Sequence, residues 1–386
     1  MKNNKKILMY AVLVTLLAAL LLTACGGGTA GTTAAPPATT HAPTTTAPAA
    51  ADTTTAPAET KAEAKATVSF TDSAGRTVDV PAEIKKVAPS GPLAQIVLYT
   101  AVPEKLAGIA RAFGKSQTPY ILESVQGLPE FGQFYGKNST LNMETLLANA
   151  PDVIIDIGEA KKSVVEDMDN LQKQLNMPVV FIEAKLTDLP ATYRKLAELV
   201  GEKERLEGLA GYAEKALAKA ADVKAALEAD DVVSVYWAMG EKGLNTNAAD
   251  SFHSEVLQIV GAKNVADVEA VSSGAGSEVS FEQLLNWQPD VILFDTPALK
   301  ETLEKDEAWQ TLEAVKNGRT FVVPGEPYGL LANPPSVNRL LGIYWLGQTI
   351  YPEHYKLDLD AEFKTFYEQF YHHELSQENL DRLLGR

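Results

Sequence analysis

Two stretches of this chain repeat one another. LNMETLLANAPDVIIDIG (141–158) and VSFEQLLNWQPDVILFDT (279–296) align at a constant offset of 138. Seven pairs are identical: Glu144/Glu282, Leu146/Leu284, Leu147/Leu285, Pro151/Pro289, Asp152/Asp290, Val153/Val291 and Ile154/Ile292. Each copy reads as a short helix with a glutamate in its first turn, a Pro-Asp stop and a buried strand. Proline ends the helix because it lacks a donor and restricts the residue before it. The leucine pair is expected to pack each helix inward. A duplicated helix–strand unit points to two similar halves.

The surrounding pattern supplies the rest of each half. Folded sequence begins near Thr67, where TVSFTDSAGRTVDV alternates apolar and polar residues around Ala74-Gly75, the pattern of a β-hairpin. Val87 to Pro92 runs into LAQIVLYT as strand, loop and helix, and Leu106 to Ala110 reads as another short strand. Strands alternating with helices imply a parallel α/β sheet. Between the repeats, residues 187–228 are rich in Ala, Leu, Glu and Lys, with no proline after Pro190. They predict one helix ending near Gly201 and a long one through about residue 228. At 1.5 Å per residue the second could span about 40 Å, enough to cross from one half to the other. The expected fold class is α/β: two Rossmann-like lobes, 67–186 and 230–386, joined by a long rigid helical connector (187–229). A ligand cleft lies between the lobes, which are fastened to each other by that rod.

The N-terminus sets the address. Lys2, Lys5 and Lys6 precede an apolar run that ends at Cys25, the only cysteine in the chain. A basic start, an apolar segment and small residues describe a secretory signal over residues 1–24. The sequence Leu22-Thr23-Ala24-Cys25-Gly26 resembles the bacterial lipoprotein signal, which implies cleavage before Cys25, lipidation of its sulfur, and anchorage on the extracytoplasmic face of the cell membrane. Residues 25–66 are a Thr/Ala/Pro spacer with almost nothing to bury, and are expected to be disordered.

Charge and composition exclude several functions. A formal net charge of −16 repels nucleic acid. One cysteine leaves no internal disulfide or CxxC pair, and the five histidines have no zinc-protease spacing. There is no GxSxG elbow, HExxH or phosphate loop. A binder, not an enzyme, is expected, without a resident cofactor. A receptor for bare zinc or manganese would need three or four convergent ligands.

With the opening TDSAGRTVDVPAEIKKV, the repeated Glu-x-Leu-Leu…Pro-Asp-Val-Ile segments, the connecting helix and SFHSEVLQIVGAKNVAD (251–267), residues 67–386 resemble the helix-hinged (class III) ABC-importer substrate-binding lipoproteins. That family serves ferric siderophores, haem, cobalamin and, in some members, molybdate. The resemblance implies that Glu144 and Glu282 dock on arginines of a permease dimer whose ATPase lies on the far side of the membrane. A first-turn glutamate also favours the helix macrodipole without any partner.

Ligand residues should lie on loops at the carboxyl ends of strands. From the first lobe these are Ser90, Gln95, Arg111, Phe113, Phe131, Gln133, Phe134 and Tyr135. From the second they are Tyr236, Trp237, Met239, His253, Tyr328, Asn333, Ser336 and Arg339. They suggest an aromatic-walled pocket for a bulky metal chelate, with Arg111 and Arg339 as donors from opposite lobes. Single aromatics could equally be core. His253 could ligate iron or simply follow a Ser251 cap, with its ring exposed. Ser336 reads as the N-cap of the helix that follows. His372 and His373 read as surface, and Phe363, Phe366, Tyr367 and Phe370 as an apolar stripe. The expected ligand is an iron complex of ferric-siderophore type, with cobalamin, haem or molybdate/tungstate as alternatives. From another class, a non-transport surface lipoprotein or a secreted hydrolase stays open.

Overall fold

The computed structural model describes residues 66–136, 138–271 and 275–386. The signal segment, Cys25 and nearly all of the spacer lie outside the described residues. The first half opens with an antiparallel hairpin of β1 (Thr67–Thr71) and β2 (Thr77–Pro81). Gly75 sits at φ +77° in the turn, a conformation that favours glycine. The hairpin is latched to the sheet by a buried ion pair. Asp72 accepts from the Ala74 and Arg76 amides at 3.0 and 2.9 Å and pairs with Arg76 Nη1 at 2.9 Å. The same Arg76 nitrogen donates to the Val179 carbonyl at 3.0 Å.

β3 (Val87–Pro89), α1 (Pro92–Ala101), α2 (Met143–Asn149), β4 (Val153–Gly158), α3 (Val164–Leu175) and β5 (Val179–Glu183) complete this half. Its three strands are parallel in the order β3-β4-β5. The strand expected at 106–110 is absent as a ladder. Leu106 bridges Val87 whereas Ile109 bridges Glu130, and a segment shared between two partners sustains no continuous pairing.

The connector is α4 (Leu189–Val200) followed by α5 (Lys203–Ala226). Gly201 at φ +97° separates them. The 24 residues of α5 extend about 36 Å. Beyond it come β6 (Ser234–Ala238), β7 (Asn245–Thr246), β8 (Lys263–Asn264), β9 (Ser277–Glu278), α6 (Phe281–Trp287), β10 (Val291–Phe294) and β11 (Thr320–Val322). A parallel sheet runs in the order β11-β10-β6-β8, and β7 pairs antiparallel with β9.

The repeat is structural in detail. Asn142 and Ser280, 138 residues apart, cap α2 and α6 by accepting from the amides of Thr145 and Gln283. Ala150 and Gln288, again 138 apart, end them in the left-handed region just before the prolines. One expectation is corrected. Only Leu146 and Leu284 are buried, while Leu147 and Leu285 face outward. Successive helical residues are about 100° apart, so a short helix resting on one face cannot bury both.

The chain closes with α7 (Asn338–Ile350), α8 (Leu359–Tyr371) and α9 (Gln377–Leu384). The halves are not fastened by the rod alone. The Phe370 ring of α8 lies 6.1 Å from Tyr193 of α4 and 5.3 Å from Tyr212 of α5. Tyr99 of α1 donates to the Tyr371 carbonyl at 2.7 Å. Tyr120 donates to Glu326 at 2.9 Å and accepts from Arg382 at 2.6 Å, and those two charges pair at 2.8 Å. His372 and His373, expected at the surface, are half-buried with their rings 5.6 Å from Tyr99 and 5.3 Å from Tyr120. The reason is a left-handed turn at His372 (φ 54°), which folds the chain back onto the first half. One apolar core therefore contains Val87 and Ile155 of the first sheet together with Val235 and Leu293 of the second.

A shared core predicts shared unfolding. Residues 66–386 should denature in one cooperative transition in urea, and two separated transitions would contradict the continuous core. Phe370→Ala should lower the stability of that transition by about 3–5 kcal/mol, because the ring is fully buried among three aromatic neighbours.

Candidate functional site

A cavity of about 200 Å3 lies between the halves. Leu93 and Val97 of α1, with Tyr135, Asp156, Glu159 and Lys161, line it from the first half; Phe252, Ser336 and Arg339 line it from the second. The position beyond the carboxyl end of β4 is where parallel α/β sheets place ligands.

Asp156 sits near the end of β4 in the apolar run Val-Ile-Ile-Asp-Ile and is 5% exposed. A buried carboxylate is costly unless hydrogen-bonded. Here Ser90 Oγ donates to Oδ1 and Tyr135 Oη donates to Oδ2 at 2.7 Å. Burial still pushes the Asp156 carboxyl above its ordinary range, and the two hydroxyls pull it part of the way back. Burial, with the adjacent Asp156 charge, raises the Tyr135 phenol, so it stays protonated as a donor.

The opposite wall is built on Arg339, 1% exposed at the start of α7. Its Nη1 pairs with Glu255 at 2.7 Å, and its guanidinium carbon lies 4.5 Å from the Phe252 ring centroid. Burial holds the guanidinium below its ordinary value, and the nearby Glu255 carboxylate opposes that shift. Ser336 Oγ is buried with no hydrogen-bond partner among the described residues. The expected N-cap role does not hold, because α7 begins at Asn338 with Val337 at the cap. The cavity thus sets a hydrogen-bonded carboxylate against a guanidinium and a spare hydroxyl.

Of the residues expected from sequence, the structure brings Tyr135, Ser336 and Arg339 to the cavity wall, with Ser90 one bond behind Asp156. Others have different work. Gln95 clamps a loop, accepting from the Ala110 and Arg111 amides at 2.7 and 3.0 Å and donating to the Arg111 carbonyl at 3.1 Å. Arg111 is exposed and does not line the cavity, so the two arginines do not face one another there. Phe131, Phe134, Tyr236, Trp237 and Tyr328 are buried in the apolar clusters, Tyr236 donating to the Gly243 carbonyl at 2.9 Å. Phe113 is partly buried against the same core, Met239 is buried in it, and Gln133 donates to the Tyr135 carbonyl at 3.1 Å. Asn333 is exposed beside Asp295, 3.4 Å from its carboxylate.

His253 follows a Ser251 cap, whose hydroxyl accepts from its amide at 3.2 Å, yet its ring is half-buried instead of exposed. Burial, then the Arg339 charge, lowers its pKa. Glu144 and Glu282 are exposed in the first turns of α2 and α6. Sequence reasoning missed Asp156, Lys161, Phe252 and Glu255. The lone aspartate inside VIIDIG was a legible signal, since an unpaired charge in a buried strand is rare. Phe252 and Glu255 lie in the 251–267 segment already singled out, which did not mark them as wall residues, and Lys161 carried no signal.

Among the described residues, no three His, Cys, Asp or Glu side chains converge as a metal site, and no helix is long and apolar enough to cross a membrane. A family profile described as periplasmic binding protein matches residues 97–327, more than half of the chain. The chain belongs to the periplasmic binding protein family. It is 20% identical over 305 residues to the uncharacterised ABC transporter substrate-binding lipoprotein YvrC of Bacillus subtilis, spanning 77% of this chain and 91% of that one. It is 24% identical over 230 residues to the high-affinity heme uptake system protein IsdE of Staphylococcus aureus, spanning 56% and 73%. An ABC transporter solute binding protein from Sulfurospirillum deleyianum superposes with a TM-score of 0.74 at 28% identity, over 82% of this chain and 99% of that one. This periplasmic binding protein is therefore a substrate-binding component of an ABC importer. Such components hand their ligand to a membrane permease.

Asp156 gives a pH test. In the unfolded chain its carboxyl ionises near the ordinary 3.8, and in the folded protein it does so at a higher pH. Between those values the folded state holds more protons, so rising pH costs stability across that window; below it both states are protonated and nothing is lost. Asp156→Asn removes the titration. Urea midpoints from about pH 4 to pH 8 should show wild type losing stability relative to this variant as pH rises, and the reverse slope would refute the assignment.

Proposed function

We propose that this periplasmic binding protein captures a metal complex in the cavity between its halves and presents it to a permease dimer through Glu144 and Glu282. The observation that carries the reading is the cavity itself, walled from both halves, with Asp156 and Tyr135 facing Arg339 and Ser336. The ligand is an iron complex, delivered by a lipoprotein tethered at Cys25 on the extracytoplasmic face of the membrane. Support for iron comes from the haem-uptake relative and from the wall oxygens of Asp156 and Tyr135, with Ser90 holding Asp156 from behind.

The cavity volume bears on the size of that ligand. Pockets for drug-sized molecules run from about 300 to 1,000 Å3, so about 200 Å3 suits a compact guest in this arrangement of the halves. A second reading, a metal oxyanion of molybdate type, draws on the same volume together with Arg339 and the spare Ser336 hydroxyl.

Native mass spectrometry and metal analysis of protein from its own host separate the two. Stoichiometric iron with an organic chelator supports the first, and molybdenum or tungsten without organic mass supports the second. A metal-free protein from iron-starved and molybdate-limited cells alike would overturn both. For docking, Glu144→Lys with Glu282→Lys should weaken association with the permease at least about tenfold while leaving ligand affinity unchanged, since charges on an exposed rim govern encounter. Undiminished transport by the double variant would refute the docking role.

A further inference from the structure

Six large apolar side chains are exposed among the described residues, and four of them are valines: Val68, Val165, Val232 and Val271. The other two are leucines, Leu147 at 52% and Leu285 at 39% exposure. They are the same position of the internal repeat, 138 residues apart. Each stands three residues after the exposed glutamate of its helix, so Glu144 and Leu147, like Glu282 and Leu285, share a helix face. The fold leaves much of each side chain in solvent. The inward face of each helix is already filled by Leu146 or Leu284, both at 0% exposure. One exposed leucine is ordinary. Two at the equivalent place in two segments that agree at only seven of eighteen positions need a common cause.

We propose that Leu147 and Leu285 are the apolar anchors of a two-point docking surface for the permease dimer, each pairing with its neighbouring glutamate to form one amphipathic knob. The inference rests on the docking role given above to Glu144 and Glu282, and adds what those charges cannot supply. Exposed charges steer encounter and are screened by salt, whereas burying apolar surface lengthens the life of the complex. A partner with two equivalent subunits offers the same surface twice. The duplicated leucines match that demand, and the four scattered valines do not. Each leucine seats in an apolar depression beside the cation that meets its glutamate.

The test uses the mature protein and the permease–ATPase complex of the same host in nanodiscs, with association and dissociation followed separately. Leu147→Ser with Leu285→Ser should raise the dissociation rate about tenfold, leave the association rate nearly unchanged, and keep its effect at about 0.5 M NaCl. Glu144→Gln with Glu282→Gln should instead slow association and flatten its salt dependence. Because the leucines are only partly covered and lie away from the cavity, the thermal unfolding midpoint should fall modestly and ligand binding should not move. If the glutamate variant weakens docking and the leucine variant dissociates like wild type, the leucine proposal falls and the docking role stands. If neither variant changes docking, both fall. If Val68→Ser raises the dissociation rate as much, or if the leucine variant only abolishes a self-dimer, the proposal is also overturned.

Discussion

Everything in this molecule depends on the seam where α8 lies against the connector. Phe370 meets Tyr193 and Tyr212, Tyr212 meets Tyr344 at 5.8 Å, and Phe366 stacks on Phe370 at 4.3 Å. These rings weld a helix from the end of the chain to two helices from its middle. Aromatic pairs at such separations add to the large area each ring buries. The seam fixes the relation between the two sheets, and so decides that the end of β4 and the start of α7 share one cavity.

The same welding shapes what ligand exchange can involve. A two-lobed receptor joined by flexible strands opens by hinge rotation. Here a 24-residue helix joins the halves, the aromatic seam fixes α8 to that connector, and the Tyr99–Tyr371 bond and the Tyr120–Glu326–Arg382 node bridge the halves directly. The Tyr120 phenol, raised to about 12 by burial and by Glu326, keeps its proton throughout the physiological range, so that node holds its charge pattern. Access to the cavity accordingly depends on small sliding or local loop motion more than on a wide swing.

Much of this was legible in the sequence, for identifiable reasons. The repeat at 141–158 and 279–296 announced two halves, and it was readable because helix, cap and strand must recur together to form one packing unit. The connector was readable because α4 and α5 have strong helical composition with Gly201 between them. The cavity was harder. Local sequence places Tyr135 and Arg339 on loops or helix starts near strand ends, but it cannot say which side of the backbone faces inward. Tyr236 and Trp237 lie within β6 and Tyr328 in the loop after β11, and all three turn into the core. Arg111 turns to solvent. The packing of α8 was invisible for a different reason: an apolar stripe says that a helix is covered and not what covers it.

The pairing of Arg339 with Glu255 has a last consequence. The guanidinium at the cavity wall brings its own counter-ion from the same half of the molecule, 2.7 Å away. Its attraction at long range is largely cancelled, and what remains is a planar fork of N–H bonds held in one orientation by Phe252. Selection at that wall is therefore angular, rewarding a guest whose acceptor atoms lie along fixed directions and ignoring one that merely carries negative charge.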